Sequence, residues 1–399
     1  MRTESGSRTR VCSVGAQDAL TPRSGASPPQ RQVGAMKQVN REDVAREAGV
    51  SVATVSYVIN DGPRPVAPAT RARVLAAIEK VGYKPNILAR ALAGGQSNTY
   101  GFVAPNITNP FIGEIAHALQ AHAQERGKLV LFGDSADNEQ REHELLSAML
   151  ARQVDGIIYM GVTEKLAVDL LKESTTPVVV VTHSDSDGHF PSVRINEVKA
   201  CTILTQHMLD HGYTSLGLLT GPTTMMNSRL RLDGMRMPLA NVGIAPVAIG
   251  WKAYSRAAGY RWATELVADG KLPRAIVTGN ERQAAGVVAA LSDKGIDVPG
   301  QVAVAALNGS SASAYSTPSL TCIRQPMDSI ASEVFRLFAD YESTQMRGYE
   351  CGFDLAIGQS CGCRRPLSRE SLATWNTPEP DSLDSAAGVA KLSQEDSHA

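Results

Sequence analysis

Apolar residues in the central part of the chain occur in short runs that alternate with longer amphipathic stretches. The runs predict buried strands at Tyr100–Ala104, Leu129–Gly133, Gly156–Met160, Val178–Val181, Ser215–Leu219, Ala275–Thr278 and Val302–Leu307. The stretches between them have helical periodicity and predict helices at Ile112–Glu125, Arg141–Arg152, Val198–His211, Ser255–Ala268 and Arg282–Lys294. This α/β pattern predicts parallel sheets covered by helices on both faces. It extends from Thr99 to about Pro326, so we expect two lobes rather than one sheet.

Shorter helical segments precede this region, between Asn40 and Val81. Asn40 is expected to cap the first helix, Gly49 to permit a tight turn, and Ser51 to cap a second helix that extends through Asn60. The positions expected to face inward are Val44, Ala45, Ala48, Val55, Val58 and Ile59, with Val74, Leu75 and Ile78 of a third helix that begins near Pro68. Two short helices braced by a third fit a helix-turn-helix. An ordinary three-helix bundle fits the periodicity equally well.

Charge is distributed unevenly along a chain whose net charge is only −1. Residues 37–97 carry nine Lys and Arg against five acidic residues, whereas the segment from Pro366 carries two basic residues against six acidic ones. A basic front end is what an electrostatic partner such as DNA phosphate requires, although many solvated surfaces are equally basic.

Composition also predicts the domain boundaries. Residues 1–36 are rich in Ser, Gly, Pro and Arg without apolar periodicity, which predicts disorder, and Met36 is a possible translation start. The predicted organisation is a disordered extension (1–36), a helical head (37–83), a linker (84–97), a two-lobed core (98–365) and a flexible acidic tail (366–399).

Several classes of protein are disfavoured by what the sequence lacks. No apolar run approaches the roughly 18 residues that span a bilayer, and residues 1–36 contain no apolar signal segment, so we expect a cytoplasmic protein without membrane partners. No P-loop, dinucleotide-binding or nucleophile-elbow motif occurs, so we expect neither an enzyme nor a cofactor. His117 and His122 are five apart, and Cys361-Gly-Cys363 stands alone in the sequence. We therefore expect structural thiols and no metal site.

Specific motifs favour the helix-turn-helix over the plain bundle. They are Asp43–Asn60 (DVAREAGVSVATVSYVIN), Gly82–Leu92 (GYKPNILARAL), Asn106–Phe111 (NITNPF), Gly221-Pro222, Ser228–Gly234 (SRLRLDG), Thr278–Asn280 (TGN) and Pro318–Thr321 (PSLT). Together they closely resemble the lac repressor and galactose repressor family over residues 37–326. The resemblance implies a DNA-binding head on a periplasmic-binding-protein-like core, the fold of a transcription regulator.

The resemblance assigns DNA contacts to the second helix. It implies groove contacts for Val52, Ala53 and Tyr57, and phosphate contacts for Thr54, Ser56 and Asn60. Val52 and Ala53 can contact a thymine methyl but cannot form bidentate hydrogen bonds with a purine. Tyr57 stands where many relatives carry Arg; it contacts a phosphate or a base edge, or simply packs on the head.

The segment Pro85–Gly95 resembles the family's hinge helix, which orders when two copies meet over DNA. Asn86 is expected to cap it. Leu92 matches the leucine that the family inserts into a minor-groove step, although a plain linker residue is the alternative. The partners implied are a second copy of the chain in a homodimer and a pseudo-palindromic double-stranded DNA operator.

The resemblance also implies that a small-molecule effector binds between the lobes. The residues it assigns to this site are Phe111, Thr182, Arg229, Tyr254, Asn280 and Asn308. Asn308 and Asn196 replace Asp residues common in the family, and Arg229 in a surface salt bridge is an alternative to ligand contact. A carbohydrate is the leading expectation; a nucleobase, another metabolite or no effector are the alternatives. The runner-up function is a cytoplasmic sugar-binding or sensory protein that no longer reads DNA.

Overall fold

The structure is a computed structural model that describes residues 39–60, 64–83, 96–161, 166–182, 189–341, 348–364 and 366–373. The chain divides into two compact units, residues 1–86 and 87–399. The predicted disordered extension and most of the predicted hinge lie outside the described residues, and each unit is built around its own buried apolar residues.

The described part of the first unit consists of α1 (Arg41–Ala48), α2 (Val52–Asn60) and α3 (Pro68–Val81). The Asn40 side chain accepts a hydrogen bond from the Asp43 N–H (3.0 Å), and the Asp43 carboxylate accepts one from the Asn40 N–H (3.1 Å). This reciprocal pair is a capping box.

The turn between α1 and α2 is the predicted one. Gly49 ends α1 in the left-handed region at φ 65°, a conformation that costs glycine little. The Ser51 Oγ then accepts a hydrogen bond from the Thr54 N–H (3.2 Å) and caps α2. The helix-turn-helix geometry predicted from the sequence is therefore confirmed.

The core of this unit is small and aliphatic. Val44, Val55 and Val74 are fully buried, as predicted. The inward position predicted for Leu75 is wrong, because its side chain is 48% exposed, while Ala77 is buried. Residues three apart share a helix face, so the inward position of Val74 brings Ala77 with it and turns Leu75 by about 100° toward solvent.

The second unit has two α/β lobes. In chain order the first lobe contains β1 (Thr99–Ala104), α4 (Pro110–Glu125), β2 (Leu129–Asp134), α5 (Glu139–Ala151), β3 (Gly156–Tyr159), α6 (Leu166–Lys172), β4 (Val178–Val181) and β5 (Ser192–Ile195). The second lobe continues with α7 (Glu197–Asp210), β6 (Leu216–Thr220), α8 (Met226–Asn241), β7 (Ala248–Trp251), α9 (Arg256–Ala268), β8 (Ala275–Thr278), α10 (Glu281–Asp293), β9 (Ala303–Ala306), α11 (Ala312–Tyr315) and β10 (Thr321–Arg324).

The rest of the chain completes both lobes. It forms α12 (Met327–Ala339), β11 (Gly348–Cys351), β12 (Asp354–Ala356) and α13 (Arg369–Ala373). The first sheet has the order β11-β5-β4-β3-β1-β2 with parallel pairing, and the second has the order β12-β10-β9-β8-β6-β7, in which only the β10–β12 pairing is antiparallel. The chain passes between the lobes after β5, β10 and β11. The predicted pair of parallel α/β lobes is confirmed.

The strands and helices predicted for the two lobes all occur, with ends shifted by at most two residues, whereas the predicted hinge helix lies outside the described residues. The elements that the sequence interpretation did not assign are α6, α8, α11, α12 and α13 and the strands β5, β7, β10, β11 and β12. In α12, however, Met327, Ile330, Ala331 and Val334 have helical spacing and are buried. The tail predicted to begin at Pro366 is wrong for its first residues. Leu372 in α13 is 2% exposed and packs in the second lobe, where its carbonyl accepts a hydrogen bond from Arg324.

Candidate functional site

The outer face of α2 carries the side chains predicted to contact DNA. Val52 (44% exposed) and Ala53 are exposed, and Thr54, Ser56 and Tyr57 are half-buried. Val55 and Val58 point into the core between them, so the contact residues follow the solvent side of the helix. Asn86, Leu92 and the side chain of Asn60 lie outside the described residues.

Several basic residues of the head are engaged in ion pairs on its surface. Lys80 Nζ lies 2.5 Å from a Glu47 carboxylate oxygen, and Arg46 lies 3.0 Å from Asp43. Such exposed pairs are worth at most about 1 kcal/mol, so they do not prevent these cations from approaching a phosphate. Lys80 and Arg46 therefore remain able to contact DNA phosphate.

A cleft of about 450 Å³ opens between the two lobes of the core. This volume is within the range of small-molecule sites in proteins. The cleft is lined by segments that follow the carboxyl ends of β1, β3, β4, β6, β8 and β9. Among the residues assigned to the effector, Phe111, Thr182, Tyr254, Asn280 and Asn308 belong to this lining.

Arg229 does not line the cleft. Its side chain is exposed, and its Nε donates a hydrogen bond to the Thr223 carbonyl (2.9 Å). The arginine of the cleft is Arg231, which is 3% exposed. Side chains two positions apart on a helix point in directions that differ by about 200°, so α8 can turn only one of Arg229 and Arg231 inward. Arg231, and not Arg229, is therefore the arginine that lines the cleft.

Arg231 is the centre of a buried polar network. Its Nε and one terminal nitrogen each donate to the Glu197 carboxylate at 2.8 Å, and the other terminal nitrogen donates to the Gly279 carbonyl at 2.8 Å. The guanidinium lies 5.1 Å from the centre of the Tyr254 ring. Burial alone would lower the pKa of Arg231, but the Glu197 carboxylate outweighs it and the net shift is upward. Arg231 is thus a fixed cation that positions Tyr254 in the cleft.

The asparagines of the cleft differ in how much of each side chain a ligand can use. Asn280 caps α10 by accepting from the Gln283 N–H (2.8 Å) and also donates to the Tyr254 carbonyl (3.5 Å). Asn308 accepts from the Gln325 side chain (2.6 Å), which leaves its NH₂ group to donate. Asn196 lies outside this lining and caps α7 by accepting a hydrogen bond from the Lys199 N–H, a role that Asn performs as well as Asp.

Three residues of the lining have left-handed backbone conformations, and one of them is Asp137 with φ 58°. Thr182 has φ 73° just after β4, and Asn308 has φ 53° shortly after β9. A β-branched residue rarely adopts this conformation, which costs about 1–3 kcal/mol. Strain of this kind concentrates at binding sites, where the position of a side chain is more important than local stability.

Charged groups that the sequence interpretation missed enter the cleft from opposite lobes. Asp137 comes from the first lobe, where Asn106 donates a hydrogen bond to it (2.9 Å), and Arg282 comes from the second lobe. Burial and the neighbouring Arg256 lower the pKa of Arg282, while Asp137 acts in the opposite direction. The signal in the sequence was their position, because both lie a few residues beyond the end of a predicted strand.

Within the described residues, no helix is both long and apolar enough to cross a membrane. Two sequence families match this chain: the family described as Bacterial regulatory proteins, lacI family, matches residues 42–86, and the Periplasmic binding protein-like domain matches residues 205–346.

Similar proteins extend the match over most of the chain. Catabolite control protein A of Priestia megaterium is 34% identical over 305 residues, which are 75% of this chain and 91% of that protein. The ribose operon repressor of Escherichia coli (strain K12) is 32% identical over 294 residues, 72% of this chain and 88% of that protein. A crystal structure of the lac repressor dimer bound to operator and the anti-inducer ONPF has the same fold, with a TM-score of 0.73 and 24% identity over 82% of this chain and 99% of that one.

Proposed function

The chain belongs to the lacI family of bacterial regulatory proteins, and from this premise we propose that it is a repressor whose operator affinity is controlled by a carbohydrate. The observation that carries the proposal is the cleft, in which polar side chains from both lobes surround one small volume. A ligand that contacts both lobes favours the closed arrangement of the core, and a differential affinity of this kind is what shifts a conformational equilibrium.

The composition of the cleft favours a carbohydrate over a purely apolar metabolite. A sugar presents hydroxyls that both donate and accept, so it needs partners of both kinds on the protein. Asp137 supplies a carboxylate acceptor, and Asn308 and Arg282 supply donors. Phe111 and Tyr254 supply apolar rings for the carbon face of a sugar. The carboxylate that Asn308 does not provide thus comes from Asp137 of the opposite lobe. In addition, the ribose operon repressor is a relative whose name connects it with a sugar.

The head supports the DNA-binding half of the proposal. Val52, Ala53 and Tyr57 would read the major groove, while Thr54, Ser56 and Asn60 would contact phosphates. Two copies of the chain would bind a pseudo-palindromic operator, with Asn86 capping each hinge helix and Leu92 inserted in the minor groove. A regulator that binds operator DNA would act in the cytoplasm.

Calorimetric titration of a sugar panel, covering pentoses, hexoses and disaccharides, tests the effector. The first sugar that binds is then titrated into Asp137→Asn, which keeps the shape of the side chain and removes its charge. Loss of one charge-assisted hydrogen bond corresponds to about a 10- to 100-fold weaker affinity. Asp293→Asn is the matched control, because Asp293 lies outside the cleft and accepts a hydrogen bond from the Tyr260 hydroxyl. If Asp137→Asn leaves the affinity for the sugar unchanged, the sugar binds at a site that does not include Asp137.

A further inference from the structure

Four side chains that can bind a metal meet at one end of α7, on the second lobe. They are His207, His211, Cys361 and Cys363, and their ligand atoms all lie within 4.8 Å of one another. The sequence interpretation expected structural thiols at Cys361 and Cys363, because Cys361-Gly-Cys363 stands alone without a neighbouring pair of Cys or His ligands. The two histidines lie about 150 positions earlier in the chain. The fold brings the two pairs together.

Each pair is held by local structure in a way that suits shared ligation. His207 and His211 are one helical turn apart, so their rings project from the same side at the end of α7. Cys361 and Cys363 flank Gly362, whose φ of 88° allows the tight loop that turns both thiols in one direction. The Tyr213 hydroxyl donates to the Cys361 carbonyl (3.2 Å) and holds this loop against the second lobe.

The distances are close to those of a four-coordinate metal site. The Cys363 Sγ lies 3.1 Å from the His211 Nε2 and 3.8 Å from the His207 Nε2. In a tetrahedral zinc site, with Zn–S near 2.3 Å and Zn–N near 2.0 Å, the edges between ligands are about 3.3–3.8 Å. Only small side-chain shifts would therefore bring all four ligands onto one ion.

The chemistry of this donor set selects the ion. Two thiolates and two neutral imidazoles suit Zn²⁺, whereas Mg²⁺ and Ca²⁺ prefer oxygen ligands. Two thiolates neutralise the charge of Zn²⁺, which allows burial beside the fully buried Cys361. Four protein ligands leave no open position, so a site of this kind is structural rather than catalytic.

We propose that His207, His211, Cys361 and Cys363 bind one Zn²⁺ ion in a closed tetrahedral site. On binding, each thiol loses its proton to solvent and each sulfur forms a bond to the metal, with no change of oxidation state. The ion ties the end of α7 to the segment that follows β12, two parts of the second lobe that are far apart in sequence. Residues at the other end of α7 include Glu197, the partner of Arg231, so the site would also hold the helix that supports the cleft.

The test uses the full chain without an affinity tag, because a histidine tag would itself bind metal. Protein purified under reducing conditions is analysed for zinc by mass spectrometry, then stripped with a chelator and titrated with Co²⁺. We expect one zinc per chain, and on titration a thiolate-to-cobalt charge-transfer band with the intense visible bands of tetrahedral cobalt, saturating at one equivalent.

Variants separate this site from adventitious binding. Cys363→Ser is the first choice, because this side chain is only partly buried and its replacement disturbs the core least. We expect the charge-transfer band to fall by about half or more and the metal affinity by at least 10-fold, with an unchanged circular dichroism spectrum. His207→Ala should weaken binding similarly, while His117→Ala and Cys351→Ser, which alter residues outside the cluster, should bind as the wild type does.

Three results would overturn the proposal. They are the absence of a charge-transfer band in reduced wild-type protein, a band of full intensity in both Cys363→Ser and His207→Ala, and isolation of the protein with iron and sulfide in place of zinc. The wild-type titration does not depend on any variant, so misfolding of a variant cannot leave the question open.

Discussion

The buried carboxylate of Glu197 accepts two hydrogen bonds of 2.8 Å from the guanidinium of Arg231, and this pair joins the first residue of α7 to the middle of α8. Both side chains are about nine-tenths or more buried. Removal of one partner from such a pair leaves an uncompensated charge in the interior.

Arg231→Ala should therefore lower the free energy of unfolding by about 3–5 kcal/mol, as measured by urea denaturation. Arg229→Ala removes the same side chain two positions earlier, where it is exposed, and should change the value by less than about 0.5 kcal/mol. A larger loss of unfolding free energy in Arg229→Ala than in Arg231→Ala would show that Arg229 is the buried arginine.

Tyr57→Ala should change which DNA sequences are preferred, because base contacts specify while phosphate contacts position. Ser56→Ala should instead weaken all sites by a similar factor. Selection from a random duplex library, followed by sequencing, compares the preferred sequences, and anisotropy titrations of several duplexes compare the affinities. The same consensus from the wild type and from Tyr57→Ala would show that this ring only packs on the head.

Thr182 allows the cost of its left-handed backbone to be measured directly. Thr182→Gly should have a free energy of unfolding about 1 kcal/mol higher than Thr182→Ala, since both lose the side chain and only alanine keeps the strain. Both variants should bind the effector more weakly than the wild type. Equal stability of the two would mean that the residue is not held at positive φ in solution.

The sequence was sufficient to predict the architecture because the buried strands are continuous apolar runs and the caps at Asn40 and Ser51 have local signals. It was insufficient where an assignment depended on the direction of a side chain. Arg229 and Arg231 occupy the same motif, and only the packing of α8 decides which one is buried. The two pairs that form the His and Cys cluster are linked only by tertiary structure, and α13 is ordered by contacts with the second lobe that its own sequence does not reveal.

Leu92→Ala should weaken binding to the operator more than binding to random DNA. Insertion of an apolar side chain unstacks a base step at a cost of a few kcal/mol, which only the contacts of a specific, bent complex can offset. Non-specific binding depends on phosphate charge and does not need this side chain. Affinities for both duplexes at one salt concentration give the comparison; an equal loss on both would make Leu92 a simple linker residue.

The most direct test of the account compares DNA affinity with and without the sugar that calorimetry identifies. Fluorescence anisotropy at one salt concentration would use a duplex from the region upstream of the gene and a scrambled duplex of equal length. We expect the upstream duplex to bind at least about 10³-fold more tightly, and the sugar to change that affinity by about 5-fold or more in the wild type but not in Asp137→Asn. Equal affinity for the two duplexes, together with sugar binding, would contradict the account and identify a sensory protein that no longer reads DNA.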